Sequence, residues 1–151
     1  MTWPPQTRTP LEVTRELERS VVGRRVAGIG IDLVELDRMR LALRRRPTLA
    51  ERCFSPAERE YAHRSRDAVP SLAARFAAKE AVMKALGVGL WKFRLRDVEV
   101  DRLPSGAPRL VLTGRAAELS QARGVGSWAL TLTHTVTTAM AVALAFAPES
   151  P

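Results

Sequence analysis

Hydrophobic and polar residues alternate along this chain with a helical period in its first half and a strand period in its second. From Leu11 to about Val22, positions Leu11, Thr14, Leu17 and Val21 recur at helical spacing between charges, with Gly23 as the stop. Val26–Ile31 is a compact apolar run broken by glycines, which predicts a buried strand. Asp32 follows it directly and is placed to cap a helix from Leu33 to about Arg46, whose stripe runs Leu33, Leu36, Met39/Arg40, Leu43 and which Pro47 ends. Ser55-Pro56-Ala57-Glu58 has the form of a capping box with proline at the first helical position. Pro70-Ser71 opens the strongest helix, alanine-rich from Leu72 to Leu86 and closed by Gly87.

Beyond Gly89 the period shortens. Asp97–Asp101 and Arg109–Thr113 alternate around a connection dense in turn formers, Leu103 to Pro108. Gly114–Arg123 predicts a helix, and Trp128–Thr133 and Thr138–Phe146 predict two strands joined tightly through His134–Thr137. Helices first and strands last predict an α+β fold, with a small antiparallel sheet packed against helices. Residues 1–10, rich in proline and threonine, predict no packed structure. The expected organisation is an N-terminal extension over 1–25 and one folded domain over 26–148.

Composition changes this picture in three ways. The longest apolar run, Ala139–Ala147, is far shorter than the roughly 20 residues of a membrane span, and Trp3-Pro4-Pro5 is unlike a secretory signal. The single cysteine, Cys53, excludes an intrachain disulfide and a cysteine-built zinc site, so a cytoplasmic protein without a membrane partner is expected. The net charge of +8 calls for an acidic partner: a nucleic acid, an acidic protein surface or a polyphosphate. An aromatic content of 5% and the lack of a zinc or helix-turn-helix signature weigh against nucleic acid. Among 24 basic residues only Lys79, Lys84 and Lys92 are lysine, and two of them share the strongest helix. Lysine is a compact, steerable charge where arginine is a planar fork, which directs attention to that helix.

On that helix Phe76, Glu80 and Lys84 share one face. Glu80 and Lys84 are oriented for an ion pair; alternatively Glu80 holds a magnesium ion and Lys84 a phosphate one turn on. Magnesium takes one or two protein carboxylates and fills its other positions with water and phosphate oxygen, so Asp32 and Glu80 would suffice. Gly87-Val88-Gly89 would let the backbone approach a ligand. In the later strand, alternation puts Leu130, Leu132 and His134 on one face and Ala129, Thr131 and Thr133 on the other.

Ile29 to Leu36, Arg75 to Gly89 and Leu130 to Thr135, in this order and spacing, resemble the signature blocks of the holo-acyl-carrier-protein synthases, a family of 4′-phosphopantetheinyl transferases. The resemblance runs from about Val26 to the last strand and includes the Gly106/Pro108 connection. It implies a small α+β homotrimer with coenzyme A in clefts between subunits, which transfers 4′-phosphopantetheine to a serine of an apo acyl carrier protein and releases adenosine 3′,5′-bisphosphate. It further implies Mg2+ on Asp32 and Glu80, with Glu80 and Lys84 as catalytic residues and Lys84 on phosphate. His134 and Thr135 lie where the family touches the nucleotide, and Arg75, Gly87, Gly106 and Pro108 line the same cleft. Arg38 and Arg45, seven residues apart and so on one helix face, match basic positions that dock the acidic helix of the carrier protein. The acceptor of the serine proton is left open between Glu80 and a water on the metal, and the client carrier is left open too. Two features depart from the family pattern: the extension before Val26, and Thr131-Leu132-Thr133 ahead of the histidine.

Overall fold

The computed structural model describes residues 23–89 and 91–149; the helix expected over Leu11–Val22 lies outside them. In chain order the elements are β1 (Val26–Glu35), α1 (Leu36–Arg45), α2 (Leu49–Cys53), α3 (Pro56–His63), α4 (Val69–Leu86), β2 (Val98–Arg102), β3 (Pro108–Leu112), α5 (Gly114–Ala122), β4 (Ser127–His134) and β5 (Thr138–Phe146). A single 3₁₀ turn, Leu95–Asp97, leads into β2. The sheets are antiparallel: three strands in the order β1-β5-β4, and the separate hairpin β2-β3. The α+β reading holds, with two small sheets in place of one.

Helix α4 is the axis of the fold. All its alanines but Ala85, with Leu72, Val82, Met83 and Leu86, are buried, each large side chain contributing about 1.5–3 kcal/mol on full burial. Close approach to the sheet is possible because both surfaces are small. Ala139, Ala141, Ala143 and Ala145 form the inner face of β5, and Gly28 and Gly30 form that of β1. A Cβ at Gly28 or Gly30 would land on the carbonyl oxygens of Ala85 or Ala81, so only glycine lets β1 lie against this helix. Gly87, at φ 62°, ends α4 in the left-handed conformation, with the Val88 N–H donating to the Met83 carbonyl. The expected capping box is present at α3: Ser55 Oγ accepts from Glu58 N–H at 3.2 Å and the Glu58 carboxylate from Ser55 N–H at 2.9 Å.

One expected boundary is wrong, and it matters for the site. Asp32 caps no helix; it lies inside β1, paired with Ala141, and the strand runs on until Glu35 meets Thr138. Helix α1 therefore starts at Leu36, after Glu35, which makes no side-chain cap bond. The reason is pairing with β5, which satisfies the backbone groups of residues 32–35 that a helix would otherwise have used. Even-numbered residues of β1 face α4 and odd-numbered ones face outward. Ile29, Ile31 and Leu33 are thus 53–64% exposed, directly opposite Leu144, Val142 and Met140 of β5.

Candidate active site

Asp32 projects from the helix-facing side of β1 toward α4. There Lys84 Nζ donates to Asp32 Oδ1 at 2.9 Å and to the Ile31 carbonyl at 2.8 Å. Of the two alternatives for Glu80 and Lys84, the i,i+4 ion pair does not form; Lys84 instead bridges from the helix to a strand carboxylate. Asp32 is mostly covered, its side chain 18% exposed, and Lys84 is half open at 53%. Glu80, half-buried, is close enough to feel both charges. Burial, and after it the negative charge of Asp32, raise its carboxyl above the ordinary value, while Lys84 pulls it back. Asp32 and Lys84 are thus in direct contact and Glu80 is near enough to sense both, without an ion pair to Lys84, and among the described residues no cluster of three or more metal-ligating side chains occurs.

A cleft of about 340 Å³ opens along the N-terminal half of α4, and none of these three residues lines it. It is lined by Arg75 and Ser71 of α4, Tyr61 of α3, Arg102 of β2, and Leu132, Thr133 and His134 of β4. Sheet register relates the two: Asp32, Ala141 and Leu132 form one row, and Val34, Ala139 and His134 form the row two residues along. Strand spacing puts Leu132 about 10 Å across the sheet from Asp32. Along α4, Arg75 is five residues, about 7.5 Å, before Glu80.

Arg75 is the most unusual group in the cleft. It is 2% exposed, donates to Ser71 Oγ at 2.6 Å and to the Ser71 carbonyl at 3.3 Å, and stacks over Tyr61 with its Cζ 4.3 Å from the ring centre. Among the described residues it has no carboxylate partner, and its Nε is buried without a hydrogen bond. Burial lowers its pKa, against the opposing charge of Glu58. Arg102 lies over the same ring at 5.0 Å and donates to the Gly106 carbonyl at 2.6 Å.

The structure brings some expected residues together and explains others locally. Asp32 and Lys84 pair, with Glu80 near enough to sense both charges, and Arg75 and His134 line one cleft. Gly106 and Pro108 shape the β2-β3 connection around Arg102, with Gly106 at φ 85° and Pro108 paired with Arg102. Gly87 sits where the end of α4 requires it. Thr135 builds the β4-β5 turn: its Oγ1 accepts from the N–H groups of Thr137 at 3.2 Å and Thr138 at 3.1 Å, and the His134 ring lies 3.4 Å from its carbonyl oxygen. Arg38 and Arg45 are exposed on α1 and make no ion pair among the described residues, whereas Arg40 is held by Asp37 at 3.0 Å and Asp67 at 2.7 Å. Lys79, singled out with Lys84 by its rarity, is buried elsewhere and paired with Glu58. Tyr61, Ser71 and Arg102 were not anticipated. Arg102 carried a faint signal, a basic residue four positions before the hairpin glycine; Tyr61 carried none beyond being the only tyrosine.

Comparison with known proteins decides the family. Residues 28–139 match the model of the 4′-phosphopantetheinyl transferase superfamily. The chain belongs to its holo-acyl-carrier-protein synthase family. The enzyme of that name from Moorella thermoacetica is 46% identical over 115 residues, spanning 76% of this chain and 90% of the relative. The fold superposes on the Neisseria meningitidis synthase with a TM-score of 0.73 at 27% identity, covering 80% of this chain and 98% of that one. It superposes on the Helicobacter pylori synthase, solved in complex with coenzyme A, with a TM-score of 0.69 at 30% identity, covering 78% and 98%. Among the described residues no helix is long and apolar enough to cross a membrane.

Proposed function

We propose that this chain transfers 4′-phosphopantetheine from coenzyme A to a serine of an apo acyl carrier protein, with Mg2+ held by Asp32 and Glu80. The observation that carries this reading is the Asp32–Lys84 bridge, with the Glu80 carboxylate near enough to sense both charges, about 10 Å across the sheet from a cleft that holds a buried arginine without a carboxylate partner among the described residues. The donor set fits magnesium: two carboxylates whose mutual repulsion a cation relieves, leaving other positions for water and phosphate. When bound there, the ion supplies charge neutralisation to the pyrophosphate and its leaving oxygen. The Helicobacter pylori relative's complex with coenzyme A supports the choice of substrate.

The residues then divide the work. Arg75, Arg102 and His134 receive the nucleotide end, and Lys84 turns its exposed ammonium from Asp32 toward the pyrophosphate. The carrier serine oxygen bonds to the phosphorus that bears pantetheine, and the bond from that phosphorus to the bridging oxygen breaks. That oxygen leaves with adenosine 3′,5′-bisphosphate, and Glu80 is the group on this chain able to take the serine proton. Positioning and charge carry most of such a reaction. Arg38 and Arg45 dock the acidic carrier helix, since both are exposed on the helix that follows the strand bearing Asp32 and neither forms an ion pair among the described residues.

The same reading includes a cytoplasmic homotrimer. Its support is the outer face of the large sheet, where Ile29, Ile31 and Leu33 oppose Leu144, Val142 and Met140 with no described element over them. Mass spectrometry of an apo carrier protein incubated with coenzyme A and Mg2+ tests the activity: a gain of the phosphopantetheine mass is expected, and an unmodified carrier refutes it. Light scattering tests the assembly, and an active preparation with only monomer mass rules out the trimer.

A further inference from the structure

Among the described residues the most deeply buried charges lie outside the proposed site, in the seam between α3, α4 and β2. Lys79 is fully buried and Glu58 is 1% exposed. Glu58 Oε2 accepts from Lys79 Nζ at 2.8 Å and from Ser55 N–H at 2.9 Å, while Oε1 accepts from Val100 N–H at 2.9 Å. Lys79 Nζ also donates to the carbonyls of Leu95, at 3.2 Å, and Val98. Three acceptors surround a three-donor point charge, an arrangement that arginine's planar fork would not fit. Every proton of the ammonium is used, both carboxylate oxygens are engaged, and burial closes the pair to a ligand.

Its neighbours on the same elements face the cleft. Tyr61 is three residues after Glu58 on α3, and Arg75 is four before Lys79 on α4, so each shares a helix face with its half of the pair. Arg102 is two residues after Val100 on β2 and hence on the same strand face. These three meet at the cleft, with the guanidiniums of Arg75 and Arg102 at 4.3 Å and 5.0 Å over one tyrosine ring. Neither forms an ion pair with a carboxylate in the cleft; Asp67, which also lines it, is taken by Arg40 and the Val69 N–H. Two like charges on one ring repel, so the elements that carry them must be held from behind.

We propose that Glu58 and Lys79 are positioning residues for coenzyme A: they lock α3, α4 and β2 in the one arrangement that sets Tyr61, Arg75 and Arg102 as a cationic wall for the substrate's phosphates. This rests on the activity proposed above. The pair acts on the wall through single steps along three elements, and it leaves α1, the carrier-docking helix, untouched.

The test uses the full chain and separates the two substrates. Glu58→Asp keeps both charges but withdraws the carboxylate by one methylene. The double variant Glu58→Gln with Lys79→Met removes both charges and keeps an acceptor for the helix cap. For each, the melting temperature is measured together with KM for coenzyme A, KM for carrier protein and kcat. Glu58→Asp is expected to raise KM for coenzyme A about tenfold, the scale of a small misplacement, with KM for carrier within about twofold. The double variant is expected to regain much of the melting temperature that either neutralising substitution loses alone, yet to keep the raised KM for coenzyme A. A merely structural pair predicts the opposite, that KM recovers with the melting temperature, and this overturns the proposal. So does Glu58→Asp with wild-type KM, which decides the question if the double variant does not fold. A wild-type chain that modifies no carrier overturns the underlying reading instead, before any variant is compared.

Discussion

Lys79 and Lys84 stand five residues apart on one helix, about 140° around its axis, and the same side chain becomes two different things. Lys79 points into the seam with α3 and β2, where a carboxylate and two carbonyls saturate it and water is excluded. Burial pulls its pKa down, and Glu58 is foremost in holding it up. Lys84 points to the strand edge, bridges to Asp32 and stays half exposed. A saturated buried ion pair is costly to break and inert toward ligands, whereas an exposed bridge contributes little and can be exchanged for another anion. The difference teaches that residue type and rarity mark where charge is wanted, while the neighbours decide whether it serves the fold or the chemistry.

The comparison is broken most severely at the open end. Asp32→Ala and Glu80→Ala each remove one of two carboxylates facing Lys84. Transfer is expected to fall by about 10²–10³-fold or more, on the scale of losing a preorganised charge partner, with the circular-dichroism spectrum and melting curve retained. Near wild-type turnover of either variant at limiting Mg2+ would show the metal-site assignment to be wrong.

At the closed end the loss is in stability. Lys79→Met leaves the Glu58 carboxylate buried without its countercharge and is expected to cost about 3–5 kcal/mol in denaturant unfolding. An unchanged unfolding midpoint would mean that water reaches the seam. Lys84→Met is the counterpart: its bridge is exposed, so a loss below about 1 kcal/mol is expected, while turnover drops about tenfold or more. If the two lysines exchanged these phenotypes, the division between fold and chemistry would be reversed.

Much of this architecture was legible from local pattern, and the failures share a cause. The capping box at Ser55–Glu58 and the stop at Gly87 are short-range devices whose partners lie within a few residues, and both occur as read. Asp32 was misplaced because an aspartate after a glycine-broken apolar run looks like a cap; what makes it a strand residue is pairing with Ala141, far along the chain. Lys79 finds Glu58 21 positions earlier, and Arg75 and Arg102 find Tyr61 only after three elements pack. Of the candidate site, Asp32, Glu80 and Lys84 could be named from motif spacing, whereas the stacking of Arg75 and Arg102 on Tyr61 left no local trace.

Helix α1 offers the same contrast at lower energy, and the smallest expected effect. Arg40 is tied to Asp37 and Asp67, so part of its charge is already answered within the chain. Arg38 and Arg45 are exposed and answer to nothing among the described residues, while Leu36 and Met39 hold the helix's other face in the core. A carrier helix lying across these two arginines would approach from the side of β1 that bears Asp32. Arg38→Glu and Arg45→Glu should then each raise the apparent KM for carrier protein roughly fivefold, or about 1 kcal/mol, the scale of an exposed charge contact. The rise should be largest at low salt and shrink as ionic strength screens the pair, because such contacts act mainly on encounter. KM for coenzyme A should stay within about twofold, since the partners proposed for its phosphates are Arg75, Arg102 and Lys84 instead. Steady-state kinetics at two salt concentrations read all of this: equal weakening toward coenzyme A would assign these arginines to the nucleotide, and no change in either KM would return them to solvent.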